Sequence, residues 1–390
     1  MRQFDVVVLG AGAAGLMCAI VAGRRGRRVL VLDHADEPGR KILISGGGRC
    51  NFTNIHTAPE RFFSANPHFC KSALSRYTPR DFLDLVEKHG IAWHEKTLGQ
   101  LFCDGSARAI VAMLLAECEA AGVKIQLGCR IAEVTRTERF RVETDTGAIA
   151  AESVVLATGG LSIPKLGATG LAHDIAVRFG LRLIGIRPGL VPLSFAAADL
   201  ARTQKLAGVS LPVDVRCGAK KFREAMLFTH RGISGPAILQ ISSVWRDGVP
   251  IMLDLLPDEA AGFLQARKRA RPGVSARTVL AEVLPQRMAD VFLPDELSAG
   301  RIGAQPDRAL MALGSALKSW QVTPAGSEGY AKAEVTLGGV DTACLSSRTM
   351  EARSAKGLFV IGEAVDVTGW LGGYNFQWAW ASGWCAGCVA

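Results

Sequence analysis

Tyrosine is scarce in this chain, with three in 390 residues, so a tyrosine inside a motif stands out. Charge is modest, at 21% of residues, which argues against a disordered chain swollen by self-repulsion. No apolar run is long enough to cross a bilayer, and no secretory leader is visible, because Met1-Arg2-Gln3 leads straight into the first strand. The expectation is a soluble, cytoplasmic protein with no membrane partner. The ten cysteines are scattered, as reduced thiols would be. Only Cys385 and Cys388 have CxxC spacing. Without a second such pair a four-cysteine zinc site is not expected, nor any other metal. Repeats, linkers and low-complexity segments are absent. A chain of this length is expected to form two or three domains.

Glycine, by contrast, is abundant, with 43 residues. The most informative cluster follows a buried strand, Phe4-Asp5-Val6-Val7-Val8-Leu9, and reads Gly10-Ala11-Gly12-Ala13-Ala14-Gly15. A helical run comes next, then a second buried strand, Arg28 to Leu32, ending in Asp33. Gly10 permits the tight turn, Gly12 lets a pyrophosphate approach the backbone, and Gly15 lets the helix lie close on the sheet. The helix N-terminus, at Ala13-Ala14, offers unpaired N–H groups to phosphates. Asp33 suits a ribose diol. The plainer possibility is a glycine-rich turn that binds nothing. No second fingerprint follows, so a nicotinamide dehydrogenase and a flavoprotein both remain open at this point.

Two further segments favour a flavin. The first contains Lys41 and Ser45-Gly46-Gly47-Gly48-Arg49-Cys50-Asn51. Three successive glycines clear side chains from a surface that can lie against a flat ring. The second is Gly362-Glu363-Ala364-Val365-Asp366, followed by Gly372-Gly373-Tyr374-Asn375-Phe376. A strand ends at Gly362 beside two acids suited to ribityl hydroxyls. A helix opening at Gly372-Gly373 would stabilise negative charge on a reduced ring.

The expected architecture is α/β. A discontinuous Rossmann-like FAD/NAD(P)-binding domain spans residues 1–188 and 340–390. A small β-barrel-like, β-rich domain spans 189–256 and 321–339, and a helical insert spans 257–320. Ala107–Ala121 reads as an amphipathic helix. Phe140–Thr144 and Ala148–Val155 read as a small ribbon, and Ser153–Ala157 as a buried strand. In the insert, Asp258, Ser275 and Asp307 are expected to cap helices and Pro285 to open one.

These motifs, with Pro164 to Gly170, Pro188 to Leu193, Leu227 to Pro236 and Thr349-Met350-Glu351, resemble a bacterial FAD-binding family across nearly the whole chain. The family is labelled NAD(P)/FAD-dependent, or aminoacetone-oxidase-like, oxidoreductases. It includes a ribosomal-RNA dihydrouridine synthase and a bile-acid enone reductase. The resemblance implies FAD, with adenosine on Gly10 to Asp33 and a backbone contact to adenine near Ile131. It implies that the flavin lies among Gly46 to Asn51, Thr158-Gly159-Gly160 and Gly372 to Asn375. Departures stand at Ala168, Leu171, Leu337 and Thr368, several where a substrate pocket should open.

The leading functional reading is an FAD-dependent oxidoreductase that reduces an activated C=C bond of a small molecule, with NAD(P)H as electron donor. Such chemistry needs a hydride and a proton delivered from opposite faces. His230, Cys50 and Tyr374 are the candidate proton donors or substrate contacts, although packing is the preferred reading for Cys50 and a structural role is equally open for His230; Tyr374 could cap the flavin site or hydrogen-bond substrate. Arg231 is a candidate anion contact. The formal net charge is +9. Seven Lys/Arg against three Asp/Glu lie between Asp199 and Arg231, and Arg267-Lys268-Arg269-Ala270-Arg271 adds a cluster. This charge supports a rival activity, a ribosomal-RNA uridine reductase (dihydrouridine synthase), although from charge alone a solvated face is the preferred explanation. An amine oxidase and a non-catalytic flavin-binding protein are also compatible with these motifs.

Overall fold

The computed structural model describes residues 1–390. The chain divides into two compact units, residues 1–188 with 334–390 and residues 189–333.

The first unit is built on a parallel sheet. Strand β1 (Arg2–Leu9) pairs in parallel with β2 (Val29–Leu32) on one side and with the strand Gly147–Leu156 on the other. Lys124–Gln126 extends the sheet beyond β2, and Leu358–Val360 pairs with Val154–Leu156. Val6 to Leu9 are all fully buried, as expected of a central strand covered on both faces. The order of these strands reverses at β1, and ligands in such sheets bind beyond the carboxyl ends at that point.

Helix α1 (Ala13–Arg24) follows the glycine turn, and the C-terminal helix Tyr374–Gly387 packs along it. Their approach requires small residues. A Cβ at Gly387 would stand 2.6 Å from the Cys18 carbonyl oxygen, and one at Gly383 would run into the carbonyl of Ala14. Trp378 and Trp380 anchor the C-terminal helix in the core. Their indole N–H groups donate to the carbonyls of Gly362 at 2.9 Å and Phe52 at 2.8 Å.

The second unit is an antiparallel sheet of seven strands in which Ser210–Cys217 and Lys220–Thr229 form the long central hairpin. Its helices include Pro236–Ser242, which packs on that hairpin, and those between Phe263 and Lys318.

Several local expectations change. The antiparallel ribbon forms as expected, but its second strand and the buried strand are one ten-residue strand, Gly147–Leu156, whose first half pairs with Phe140–Thr144 and whose last part pairs with Leu358–Val360. Asp258 caps nothing. The helix begins at Phe263 with Gly262 as its cap, and Asp258 pairs with Arg223 instead. Asp307 is the first helical residue rather than the cap, where its charge still favours the helix dipole. Ser275 does cap its helix, accepting from Thr278 N at 3.1 Å, and Pro285 precedes Gln286–Phe292. No helix is long and apolar enough to cross a membrane.

Candidate functional site

The opening turn has the geometry a dinucleotide phosphate requires. Gly10 has φ +114°, and a Cβ there would lie 2.7 Å from the Ala157 carbonyl carbon. A Cβ at Gly15 would enter the Gly10 carbonyl, which keeps α1 tight against the turn. Gly12 differs, because a Cβ there would meet nothing within 4 Å. No side chain caps α1, and its first turn holds no acid. Its first N–H groups and its positive dipole end therefore lie beside the open face of Gly12, an arrangement suited to a pyrophosphate. Asp33 is fixed beside the turn. Its two carboxylate oxygens accept from Ala11 N at 2.7 Å and Ala35 N at 2.8 Å. Gly128 N and Cys129 N donate to the carbonyls of Ala35 and Asp33 at 2.8 and 2.9 Å. Ile131, at the start of the next strand, is thereby carried toward the same end of the sheet.

The C-terminal motif closes on the first hundred residues. Gly373 has φ +94°, and a Cβ there would lie 2.6 Å from the Thr53 carbonyl carbon and 2.8 Å from Asn51 Oδ1. Asn54 Nδ2 donates to Gly372 O at 2.8 Å, and Thr53 Oγ1 meets Gln377 Oε1 at 2.6 Å. Asn375 clasps the preceding turn, accepting from Gly369 N at 2.8 Å and donating to Gly369 O at 3.0 Å. Phe376 stacks on Trp380 with ring centroids 5.7 Å apart. In the triple-glycine loop Gly46 sits over the Phe102 ring, whereas Gly47 opens onto empty space; Gly48 has φ +85°, and Arg49 is exposed. Gly159 likewise meets nothing, while Gly160 is pressed against Thr336 and Glu363. Thr158 Oγ1 accepts from Ala172 N at 3.2 Å. Gly362 abuts Ala14 of α1.

A polar network links these segments. Lys41 Nζ lies 2.6 Å from Glu363 Oε2 and 2.5 Å from Ser162 Oγ. Glu363 Oε1 accepts from Ser162 Oγ at 2.9 Å and Thr336 N at 3.0 Å. Burial pushes the Glu363 carboxyl up, but the Lys41 charge and these hydrogen bonds outweigh it and hold the group below its ordinary value. Asp366 behaves oppositely. Burial raises its pKa despite hydrogen bonds from Ala65 N at 2.8 Å and Ser64 Oγ.

The candidate catalytic residues fall in different settings. Cys50 is fully buried with φ +53°, and burial pushes its thiol up to about 12. Tyr374 is buried at the start of the C-terminal helix, edge-on to Phe62. His230 lies in the second unit, exposed in the turn from Thr229 to Gly232. Arg231, beside it, lies 4.0 Å from Glu328. Much of the 267–271 cluster is neutralised within the second unit. Arg267 and Arg271 pair with Glu282, and Lys268 pairs with Asp307. No group of His, Cys, Asp and Glu is arranged to hold a metal.

Four further buried residues complete the first unit's site. Asn54 and Gln377 close the two glycine motifs without a role legible there, and Ser162 and Thr336 were passed over by sequence reasoning. Each of the four makes a hydrogen bond to a partner more than 150 positions away in sequence, which no local pattern marks.

Residues 4–389 match the family model described as HI0933-like protein Rossmann domain. The chain is 51% identical over 395 residues to the ribosomal RNA dihydrouridine synthase of Escherichia coli strain K12, covering 99% of this chain and 98% of that protein. It is 30% identical over 411 residues to the 3-dehydro-bile acid delta(4,6)-reductase of Clostridium scindens, covering 98% of each. Among solved structures, the 3-ketosteroid-Δ4-(5α)-dehydrogenase of Rhodococcus jostii RHA1 aligns with a TM-score of 0.51 and 14% identity, over 99% of this chain and 96% of that one. This last likeness shows the shared fold alone.

Proposed function

This chain belongs to the HI0933-like family, and from that membership we propose that it is an FAD-dependent reductase of uridine in ribosomal RNA. The observation that carries the reading is 51% identity along 99% of the chain to a ribosomal RNA dihydrouridine synthase, against 30% to the bile-acid reductase. Uridine reduction is still reduction of an activated C=C bond, because the C4 carbonyl polarises the C5=C6 bond. What changes from the leading sequence reading is the substrate class, from small molecule to RNA. A substrate inside ribosomal RNA also supports a cytoplasmic location.

The residues present fit FAD. The open face of Gly12 and the uncapped start of α1 would hold the pyrophosphate, and Asp33 the adenosine ribose. The glycine-lined segments at Gly47, Gly159 and Gly372 to Asn375 would face the ring end. Bound FAD supplies hydride chemistry, here from NAD(P)H toward uracil C6, with a proton completing the reduction at C5. Glu363, held ionised by Lys41, can accept hydrogen bonds but has no proton to give at neutral pH. Cys50 keeps its proton but is walled off from solvent.

The test is anaerobic incubation of purified, flavin-loaded protein with NAD(P)H and unmodified ribosomal RNA transcripts, followed by nucleoside mass spectrometry. Dihydrouridine formation dependent on both FAD and NAD(P)H is expected. Peroxide production from amines without RNA modification would favour an oxidase. A flavin that no donor reduces would favour a binding protein.

A further inference from the structure

Leu98 carries two costs that the first unit's packing does not explain. It is 61% exposed, and its backbone lies in the left-handed region at φ +53°. A non-glycine residue held there is strained, and an exposed leucine gains little burial in return. The conformation is nevertheless fastened. Asn54 Nδ2 donates to Leu98 O at 3.1 Å and to Gly372 O at 2.8 Å. Ile55 N donates to Gly99 O at 2.9 Å, and Asn54 Oδ1 accepts from His56 N at 2.9 Å.

The 46% exposed Ile55 is thus held beside Leu98 through Gly99, and one buried amide ties Leu98 to the turn that opens the C-terminal helix. That turn is the one assigned to the flavin ring end. Lys96 and His56 stand beside the two residues, with Glu95 the acid nearest in sequence. Lys96 Nζ lies 5.4 Å from the centroid of the Phe102 ring, which also underlies Gly46. The rim is thus apolar at its tips, carries Lys96 and His56 as hydrogen-bond donors beside them, and is continuous with the site.

An enzyme acting on a base must draw it out of its stack, and apolar side chains hold open the gap that results. We propose that the rim formed by Ile55, His56, Lys96 and Leu98 docks the RNA strand, with Leu98 filling the space left by the extracted uridine and Lys96 and His56 meeting the flanking phosphates. This inference rests on the reading of the chain as a ribosomal-RNA uridine reductase.

The test compares wild type with Leu98→Gly and Leu98→Asn, both residue types that tolerate φ near +53°. Retained FAD content, an unchanged rate of flavin reduction by NAD(P)H and a melting temperature no lower than wild type establish that the site is intact. Dihydrouridine formation in folded ribosomal RNA transcripts is expected to fall at least about tenfold for both variants. Fluorescence of 2-aminopurine placed next to the target should rise on binding wild type and stay flat with the variants. Equal RNA modification by wild type and Leu98→Gly overturns the wedge. So does a change in oligomeric state, by light scattering, with the rate preserved, since the rim would then be a contact between copies of this chain. If wild type itself leaves the RNA unmodified, the functional reading fails instead.

Discussion

Lys41 and Glu363 stand 322 positions apart and meet as an ion pair, Nζ to Oε2 at 2.6 Å. Each alone suits a cofactor contact. Together they lock the helix before the triple-glycine loop onto the strand end at Gly362. Lys41→Met should leave Glu363 without its cation in a site where the carboxylate is 19% exposed. Because Lys41 is itself 34% exposed, solvent screening discounts the loss, and about 1–3 kcal/mol of unfolding free energy is expected. The Glu363 pKa is depressed in the folded state. The pair's contribution is therefore full above the ordinary carboxylate range and disappears as pH falls through the depressed value. Urea titrations of both proteins at pH 7 and in acid check this, with the difference shrinking at low pH.

Glu117 offers a second acid-sensitive point, away from the site. Burial pushes its carboxyl up, but hydrogen bonds from Lys88, His89 and Arg24 overcome this and set it at about 2. Its stabilisation is present above the unfolded carboxylate value and is lost as pH falls toward 2. Glu117→Gln should cost about 1–3 kcal/mol at pH 7, discounted for the exposed cations, and progressively less below pH 4.5. A difference between the two proteins that does not change with pH would contradict the assignment.

Gly12 and Gly373 separate cofactor contact from packing. Gly12 has φ −86°, which any residue adopts, and its missing side chain faces empty space. Gly12→Val should leave the melting temperature of flavin-free protein within about 2 °C of wild type while abolishing FAD retention. Gly373 has φ +94° and is pressed on the Thr53 carbonyl, so Gly373→Ala should lower both. Absorbance near 450 nm after gel filtration reports the flavin, and calorimetry reports the fold.

What the sequence shows and hides in this molecule follows from the range of the interactions. The strand, turn and helix from Arg2 to Arg24 are legible because each part is local: an apolar run, a glycine where φ is positive, a helix beginning at once. The start of the C-terminal helix is legible for the same reason. Asp258 misleads because capping rules read only the neighbours, while the residue's actual partner, Arg223, is 35 positions away. Asn54 and Gln377 are silent for that reason too. Each amide also reaches a carbonyl or hydroxyl about 300 positions distant, and composition carries no trace of such pairs. His173 is a related case. It is buried close to Ala364, and burial lowers its pKa, yet nothing in its own helix singles it out from the other six histidines.

Cys50 offers the last test, because its position in the glycine loop and its burial point in opposite directions. Its place beside Asn51 suits a proton donor. Its full burial, with the thiol pushed up to about 12, describes a small apolar side chain packed under the loop. A general acid removed from a working site typically costs 10²- to 10⁴-fold in rate. A packed thiol replaced by a methyl group costs about 1 kcal/mol of stability and little else. Cys50→Ala is therefore expected to retain turnover within about threefold of wild type while unfolding at slightly lower urea. Cys50→Ser, which buries a hydroxyl in the same place, should be the less stable of the two. The pH profile of kcat/KM should show no limb from this thiol between about pH 6 and 9, since it stays protonated throughout. A hundredfold loss in Cys50→Ala with partial recovery in Cys50→Ser would assign the C5 proton to this thiol after all.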